Sequence, residues 1–104
     1  MKVSFALRML FNTHFEVHGR VQGVFFRKCT KEKADELDLK GWVRNTSKGT
    51  VEGVVQGERE KVIEMKQWLS HVGSPHSSIS KCVFTDERDV EAPEYSNFGI
   101  RRTT

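Results

Sequence analysis

The feature that most restricts the fold of this chain is the order in which two hydrophobic periodicities alternate along it. Apolar residues at every second position indicate a half-buried strand, and apolar residues three or four positions apart indicate a helix with one buried face. Along the chain the patterns follow in the order strand, helix, strand, strand, helix, strand, with a short strand at the end. With 104 residues the chain is long enough for one domain with a single core.

The individual segments can be placed from the same patterns and from the glycines and prolines between them. They are a strand at 13–18, a helix at 26–37, strands at 42–46 and 50–56, a helix between Gly57 and Gly73, and strands at 79–86 and 97–101. This order predicts an α+β fold of the ferredoxin-like type, a β-α-β-β-α-β sandwich. Two helices pack on one face of a mostly antiparallel sheet that has a short fifth strand.

The predicted topology brings two distant stretches to one edge of the sheet. The first and second strands run parallel, and the third lies between them and is antiparallel to both. The carboxyl ends of the first two strands therefore share a rim. The loop from Gly19 and the pair Asn45-Thr46 should lie on that rim, roughly 10 Å apart across one intervening strand.

The loop after the first strand has the composition of an anion site. Gly19 and Gly23 lie within the stretch Gly19-Arg20-Val21-Gln22-Gly23-Val24-Phe25-Phe26-Arg27. Glycines allow a tight loop to turn its amides toward one point, and a helix N-terminus attracts anions. Arg27 falls in the first turn of the helix with a guanidinium suited to phosphate. The pattern alone leaves open a plain surface turn with a solvated arginine.

Other known ways of handling phosphate or metals do not fit the residues. Gly23 is followed by valine, whereas a nucleotide-binding P-loop requires lysine and serine or threonine there. The mouth of the loop reads His18-Gly19, whereas a thiol-dependent phosphatase requires a cysteine. Cys29 and Cys82 have no metal-ligand spacing, and the four histidines form no ligand set. The sequence thus predicts neither a covalent intermediate nor a metal or other cofactor.

The composition limits the classes of molecule that the chain is expected to bind. The net charge of +3 is small, and the sequence has no concentrated basic stripe, so no nucleic-acid partner is predicted. No run approaches membrane-spanning length, and no membrane partner is expected. The first 12 residues lack a clear cleavage site and are expected to be a flexible extension rather than a signal peptide. A cytoplasmic monomer with reduced cysteines is therefore predicted.

The residues of the loop and the rim resemble those of acylphosphatases, specifically the small animal enzymes. The resemblance rests on Gly19–Arg27, Gly41-Trp42-Val43-Arg44-Asn45-Thr46 and Gly49-Thr50-Val51. It continues through Met65–Leu69, Gly73-Ser74-Pro75 and Tyr95–Phe98. It predicts an acylphosphatase-like domain at 13–102, between the extension at 1–12 and a tail at 103–104 that is expected not to touch the motif.

The resemblance implies an enzyme that hydrolyses the carboxyl–phosphate bond of acyl phosphates to a carboxylate and inorganic phosphate, without a metal. It implies that Arg27 and the loop amides hold the phosphoryl oxygens and that Asn45 orients the attacking water. Gly19 would let the loop close, and the Thr46 hydroxyl would fix the orientation of Asn45. Besides catalytic Arg27 and Asn45, the residues expected to bind substrate are Gly19, Arg20, Val21, Gln22, Gly23, Val24 and Thr46.

Two other functions were weighed against this one. A ferredoxin-like module that binds an anion without turnover would need the loop and Arg27, but it has no evident use for Asn45 on the same rim. An RNA-binding module of similar fold would need an aromatic-rich third strand. The third strand here reads Thr50-Val51-Glu52-Gly53-Val54-Val55-Gln56. It carries no aromatic residue.

Overall fold

In the computed structural model, which describes residues 9–104, seven elements follow in the order that the periodicities predict. Their bounds are β1 (Leu10–Arg20), α1 (Phe26–Glu36), β2 (Lys40–Asn45), β3 (Val51–Gly57), α2 (Arg59–His71), β4 (Ser78–Val90) and β5 (Phe98–Ile100). The two helices pack on a five-stranded open mixed sheet, and the predicted ferredoxin-like α+β fold is confirmed. Neither helix of this part of the chain has the length and the apolar character that crossing a membrane requires.

The sheet has the strand order β4-β1-β3-β2-β5. β3 pairs antiparallel with β1 on one side and with β2 on the other, so β1 and β2 run parallel to each other. β5 is parallel to β2 at the edge. The carboxyl ends of β1 and β2 therefore share one rim, as predicted.

The first strand begins earlier than the alternation of residues suggested. β1 starts at Leu10, so residues 10–12 belong to the sheet and not to the predicted extension at 1–12. The apolar alternation is interrupted at Thr13, a buried polar residue at a core-facing position between Phe11 and Phe15. Asn12 beside it is also polar and buried. Its amide donates to the carbonyl of Asp86, and its side-chain oxygen accepts from Gln56 at 2.7 Å. The rest of the extension, residues 1–8, lies outside the described residues.

The core lies between the helices and one face of the sheet. Alternate residues of β1 and β3 face it, among them Phe15, Val17, Val51 and Val55, all with no exposed surface. α1 contributes Phe26, whose ring lies 5.6 Å from that of Trp68 on α2. Burial of these side chains is the main favourable term in folding.

Trp42 lies on the other face of the sheet, because its neighbour Val43 faces the core and side chains alternate along a strand. It is nevertheless only 9% exposed. The guanidinium groups of Arg44 and Arg101 lie 4.9 Å and 4.5 Å from its ring centre. Trp42 is therefore buried under two arginines on this face and not in the core between the sheet and the helices.

Gly53 lies in the middle of β3, where the chain packs closely against both neighbouring strands. A Cβ at this position would overlap the carbonyl oxygen of Trp42 on β2 and would lie 2.6 Å from the Phe15 ring. β3 is regularly paired there on both sides, with Phe15 and Val43 as the partners of Gly53.

We predict that Gly53→Ala destabilises the fold by about 2–3 kcal/mol, because the added methyl group must displace backbone in a central strand. Urea unfolding at neutral pH measures the change. Gly99→Ala is the matched control, since the nearest atom to a Cβ there is 3.9 Å away in the edge strand β5. Equal stability of the two variants would contradict this account of Gly53.

Candidate active site

The connection between β1 and α1 ends in a left-handed residue. Phe25, the N-cap of α1, has φ 60° and ψ 25°, and no side chain caps the helix. The first helical hydrogen bond runs from the Cys29 amide to the Phe25 carbonyl at 3.0 Å. The amides of the preceding turn have no partner within the helix, and such donors together with the helix dipole favour a bound anion.

A cavity of about 390 Å³ opens beside this helix start. The residues that line it are Val21, Gly23, Phe25, Phe26, Arg27, Lys28, Asn45 and Ile100. Four of these were singled out from the sequence, namely Val21, Gly23, Arg27 and Asn45. The structure thus brings the loop, the first turn of α1 and the end of β2 to one cavity.

Five other predicted site residues do not line the cavity: Gly19, Arg20, Gln22, Val24 and Thr46. Gly19 and Arg20 are exposed at the end of β1, and Val24 is buried in the core. Gly19 lies at an irregularity in the pairing of β1 with β4, with φ 126°. A Cβ there would overlap the Ser78 carbonyl, so this glycine allows β4 to approach β1 closely.

Arg27 carries a charge that no carboxylate in the described part of the chain pairs with. The side chain is half-buried at the cavity wall, and within residues 9–104 it forms no ion pair. Arg44, Arg59 and Arg88, by contrast, each lie within 3.1 Å of an acidic oxygen. An unpaired guanidinium beside free helix amides makes this end of the cavity attractive to an anion.

Asn45 ends β2 at the same cavity. Its amide oxygen Oδ1 is buried, and no group in the described part of the chain donates a hydrogen bond to it. Buried polar atoms are nearly always satisfied, so an acceptor without a protein partner, in a residue that lines a cavity, is a candidate for contact with a bound molecule. Asn45 and Arg27 thus offer an acceptor and a cation to one small space.

Gln22 ties the loop to the hairpin between β2 and β3. Its side-chain amide donates to the backbone carbonyls of Thr46 at 2.9 Å and Thr50 at 2.8 Å. Gln22 was predicted to bind substrate as part of the loop. Its contacts with the hairpin could not be predicted, because a contact between residues that are 24 positions apart leaves no periodic signal. These two hydrogen bonds hold the two halves of the cavity together.

The Thr46 hydroxyl has a different partner from the one predicted. It shares a 2.6 Å hydrogen bond with the Thr50 hydroxyl and accepts from the amides of Lys48 and Thr50. It therefore fixes the turn that follows Asn45 and not the Asn45 side chain. The Thr50 hydroxyl in turn donates to Glu16 of β1 at 2.7 Å.

The tail at 103–104 touches the motif, contrary to the prediction. Beyond β5 the chain continues alongside β2, with the Arg101 amide donating to the Val43 carbonyl at 2.8 Å. The Thr104 amide then donates to the Asn45 carbonyl at 3.3 Å, and the Thr104 hydroxyl accepts from the Ser47 amide at 3.2 Å. The tail reaches Asn45 because β5 is parallel to β2.

The remaining nucleophilic and metal-binding side chains lie away from the cavity. Burial raises the pKa of the Cys82 thiol to about 12, and this residue lies on β4. Cys29 lies on α1 but does not line the cavity. No group of three His, Cys, Asp or Glu side chains suited to a metal ion occurs between residues 9 and 104.

The hydrogen bond from Thr50 makes the stability of the fold depend on pH through Glu16. That bond is the largest influence on the pKa of the Glu16 carboxyl, and it lowers the pKa below its ordinary value of 4.5. Burial acts in the opposite direction and is second in size, and Lys48 at 3.4 Å lowers the pKa further. A lowered pKa stabilises the folded state above the ordinary pKa, and this stabilisation is lost as the pH falls through the folded-state value.

We therefore predict that Thr50→Val lowers the free energy of unfolding more at pH 7 than at pH 3, as measured by urea unfolding. In a Glu16→Gln background the difference between the two pH values should disappear, because no carboxylate remains to accept the bond. A cost of Thr50→Val that is the same at both pH values in the wild-type background would contradict the role of Glu16.

The chain is similar in sequence to known acylphosphatases. The family model described as acylphosphatase matches residues 13–100. The chain is 53% identical over 96 residues to acylphosphatase-2 of Cavia porcellus, covering 92% of this chain and 97% of that one. It is 52% identical over 93 residues to acylphosphatase-1 of Gallus gallus, covering 89% and 94%.

A solved structure of an acylphosphatase from Coxiella burnetii is similar in three dimensions. It superposes with a TM-score of 0.81 at 37% identity, covering 97% of this chain and 100% of that one. The resemblance inferred from the loop and rim motifs is confirmed by these matches. The chain belongs to the acylphosphatase family.

Proposed function

We propose that this protein hydrolyses acyl phosphates to a carboxylate and inorganic phosphate at the cavity between the β1–α1 loop and the end of β2. The observation that carries the proposal is the meeting of two unpaired groups in one cavity, the Arg27 guanidinium and the amide oxygen of Asn45. One suits a phosphoryl group and the other suits a water molecule. The homologues named acylphosphatase support the same reaction.

The phosphoryl group occupies the end of the cavity formed by the loop and α1. Its oxygens accept hydrogen bonds from amides of the stretch Arg20–Val24 and of the first helical turn, and they pair with Arg27. Phosphoryl transfer passes through a state in which negative charge is spread over three oxygens. Donors fixed beforehand by the fold stabilise that charge without reorganising during the reaction.

Asn45 orients the attacking water. Its Oδ1 accepts a hydrogen bond from the water, and the position of the amide is held by the strand pairing of β2 and by the Thr104 amide on the Asn45 carbonyl. A water held near the phosphorus atom and in line with the leaving oxygen reacts with a lower entropic cost.

The leaving group explains why no acid is needed. An acyl phosphate releases a carboxylate, which is stable at neutral pH without protonation. The water proton passes to an oxygen of the phosphoryl group, so the substrate itself serves as base. No step in this scheme requires a metal ion, since Arg27 and the amides supply the positive charge.

Two finer predictions accompany this function, a monomeric state and a cytoplasmic location. Sedimentation equilibrium and fractionation of cells that express the protein test the two predictions separately.

The deciding measurement is release of carboxylate and phosphate from benzoyl phosphate in the presence of a chelator. We expect turnover well above the uncatalysed rate. Binding of inorganic phosphate without turnover would support the competing possibility, a ferredoxin-like module that only binds an anion.

Arg27→Gln should abolish phosphate inhibition and lower kcat/KM by about 1,000-fold or more, because the main cation of the site is lost. Arg59→Gln is the matched control. It removes a guanidinium that is paired with Asp89 at 2.9 Å and lies on α2, away from the cavity. A similar loss of activity in both variants would point to net charge and not to Arg27.

Asn45→Ala should lower kcat by about 100- to 1,000-fold and leave inhibition by phosphate within about threefold of wild type. The reason is that the change removes the water acceptor and spares the cation and the amides. Asn97→Ala, which alters an exposed asparagine outside the cavity, serves as control. A nearly normal kcat in Asn45→Ala would refute the assigned role.

A further inference from the structure

We propose that the mouth of the cavity carries an apolar lip, formed by Phe25 and Ile100, that contacts the acyl group and favours aromatic and long aliphatic acyl phosphates. This inference rests on the function proposed above, because it concerns the part of the substrate that is not phosphate. It gives a role to Phe25, whose exposed side chain and left-handed backbone are explained neither by folding nor by phosphate binding.

Phe25 combines two features that do not favour folding. Its side chain is 73% exposed, so it gains little from burial. Its φ of 60° lies in the left-handed region, which is strained for a large residue. The other two non-glycine residues with positive φ in the described chain, Asp38 and Asp86, belong to a type that tolerates this region. Strain of this kind beside a cavity indicates function.

Ile100 brings a second apolar side chain to the same cavity from a different element. It lies at the end of β5, level with Val43 of β2, and is 47% exposed. Phe26, the neighbour of Phe25, differs in being buried against Trp68 and belongs to the core. The apolar surface at the mouth is therefore formed by the side chains of Phe25 and Ile100, which are both largely exposed and, unlike Phe26, are not buried in the core.

The size of the cavity leaves room for an acyl group. The volume is about 390 Å³, within the range of small-molecule sites, and a single water takes only about 30 Å³. A phosphoryl group and one water placed against Arg27 and Asn45 leave part of the space unfilled. An acyl chain leaving that group toward solvent passes the apolar lip, where an aromatic ring can pack against Phe25.

Lys28 also lines the cavity and offers an alternative basis for selection. Its ammonium would favour acyl groups with a second negative charge. The two possibilities differ in the substrate that each variant affects, so one set of measurements separates them.

The test compares kcat/KM for benzoyl phosphate and acetyl phosphate, whose acyl groups differ in size and share a charge. Phe25→Gly should lower the ratio of the two values about tenfold, mainly through KM for benzoyl phosphate. Phe25→Tyr, which keeps the ring, should restore the ratio to within about twofold of wild type. Ile100→Ala should lower the ratio less than Phe25→Gly does.

The control is Ile63→Ala, which removes an equally exposed apolar side chain from α2 outside the cavity and should leave the ratio unchanged. The unfolding midpoint of Phe25→Gly should equal or exceed that of wild type, because glycine relieves the left-handed strain. A poorly folded Phe25→Gly would contradict the strain on which the inference depends.

Two results overturn the apolar lip without touching the proposed function. One is an unchanged ratio in Phe25→Gly while the wild type hydrolyses both substrates. The other is a wild-type preference for an acyl phosphate with a second carboxylate over benzoyl phosphate that Lys28→Gln abolishes and Phe25→Gly leaves unchanged. Failure of the wild type to hydrolyse either substrate would instead remove the proposed function, and the lip as an acyl contact with it.

Discussion

The insertion of β3 between β1 and β2 is the constraint on which the rest of the structure depends. Since β3 is antiparallel to both neighbours, the two outer strands run in the same direction and end at the same rim. This is what brings Arg27, just after β1, and Asn45, at the end of β2, to one cavity. The insertion requires close contact in the middle of the sheet. There Gly53 has no side chain, so the Phe15 ring and the backbone of Trp42 can occupy the space that a Cβ would take.

The same arrangement leaves the two halves of the cavity without direct backbone pairing, because β1 and β2 are not neighbours. Hydrogen bonds from side chains join the two halves instead. Gln22 donates to two carbonyls of the hairpin, and Glu16, on the face of the sheet away from the helices, accepts from Thr50. Thr104 holds the Asn45 backbone from the outer edge. Each such bond contributes only about 1 kcal/mol, so the geometry of the site is held more weakly than the core.

The sequence predicted those parts of the molecule that periodicity and local chemistry encode. Helices, strands, their order and the shared rim follow from alternation in segments such as Thr13–His18, and Arg27 and Asn45 follow from the rim together with the family motif. The polar residues Asn12 and Thr13 hid the true start of β1, because the burial of Asn12 depends on partners more than 40 residues away. The contacts of Gln22 and Thr104 could not be predicted for the same reason, since hydrogen bonds between distant positions leave no periodic signal in the sequence.

Trp42 and Phe25 show a different limit of prediction from the sequence, which concerns the surroundings of a side chain. An aromatic residue in an apolar pattern predicts burial in the core, and Trp42 is buried, but by arginines on the other face of the sheet. Phe25 is exposed and left-handed, and nothing in its sequence context signals a positive φ. In both cases the side chain's environment is made by groups that approach only after the chain has folded.

The energetics of the folded chain also favour this cavity as the candidate site, independently of any relative. Three features that oppose folding meet at one cavity: the strained Phe25, the unpaired Arg27 beside the positive end of α1, and the buried Asn45 oxygen. Elsewhere in the described chain such features are scattered, as with the buried Ser74 hydroxyl, which lacks a partner but lies outside this cavity. A ligand with a negative group and a proton donor would satisfy the Arg27 guanidinium and the Asn45 oxygen, and an apolar part would cover the exposed Phe25 ring. The concentration of these groups in one place fits a site for such a ligand, since the two unpaired groups are unfavourable until it binds.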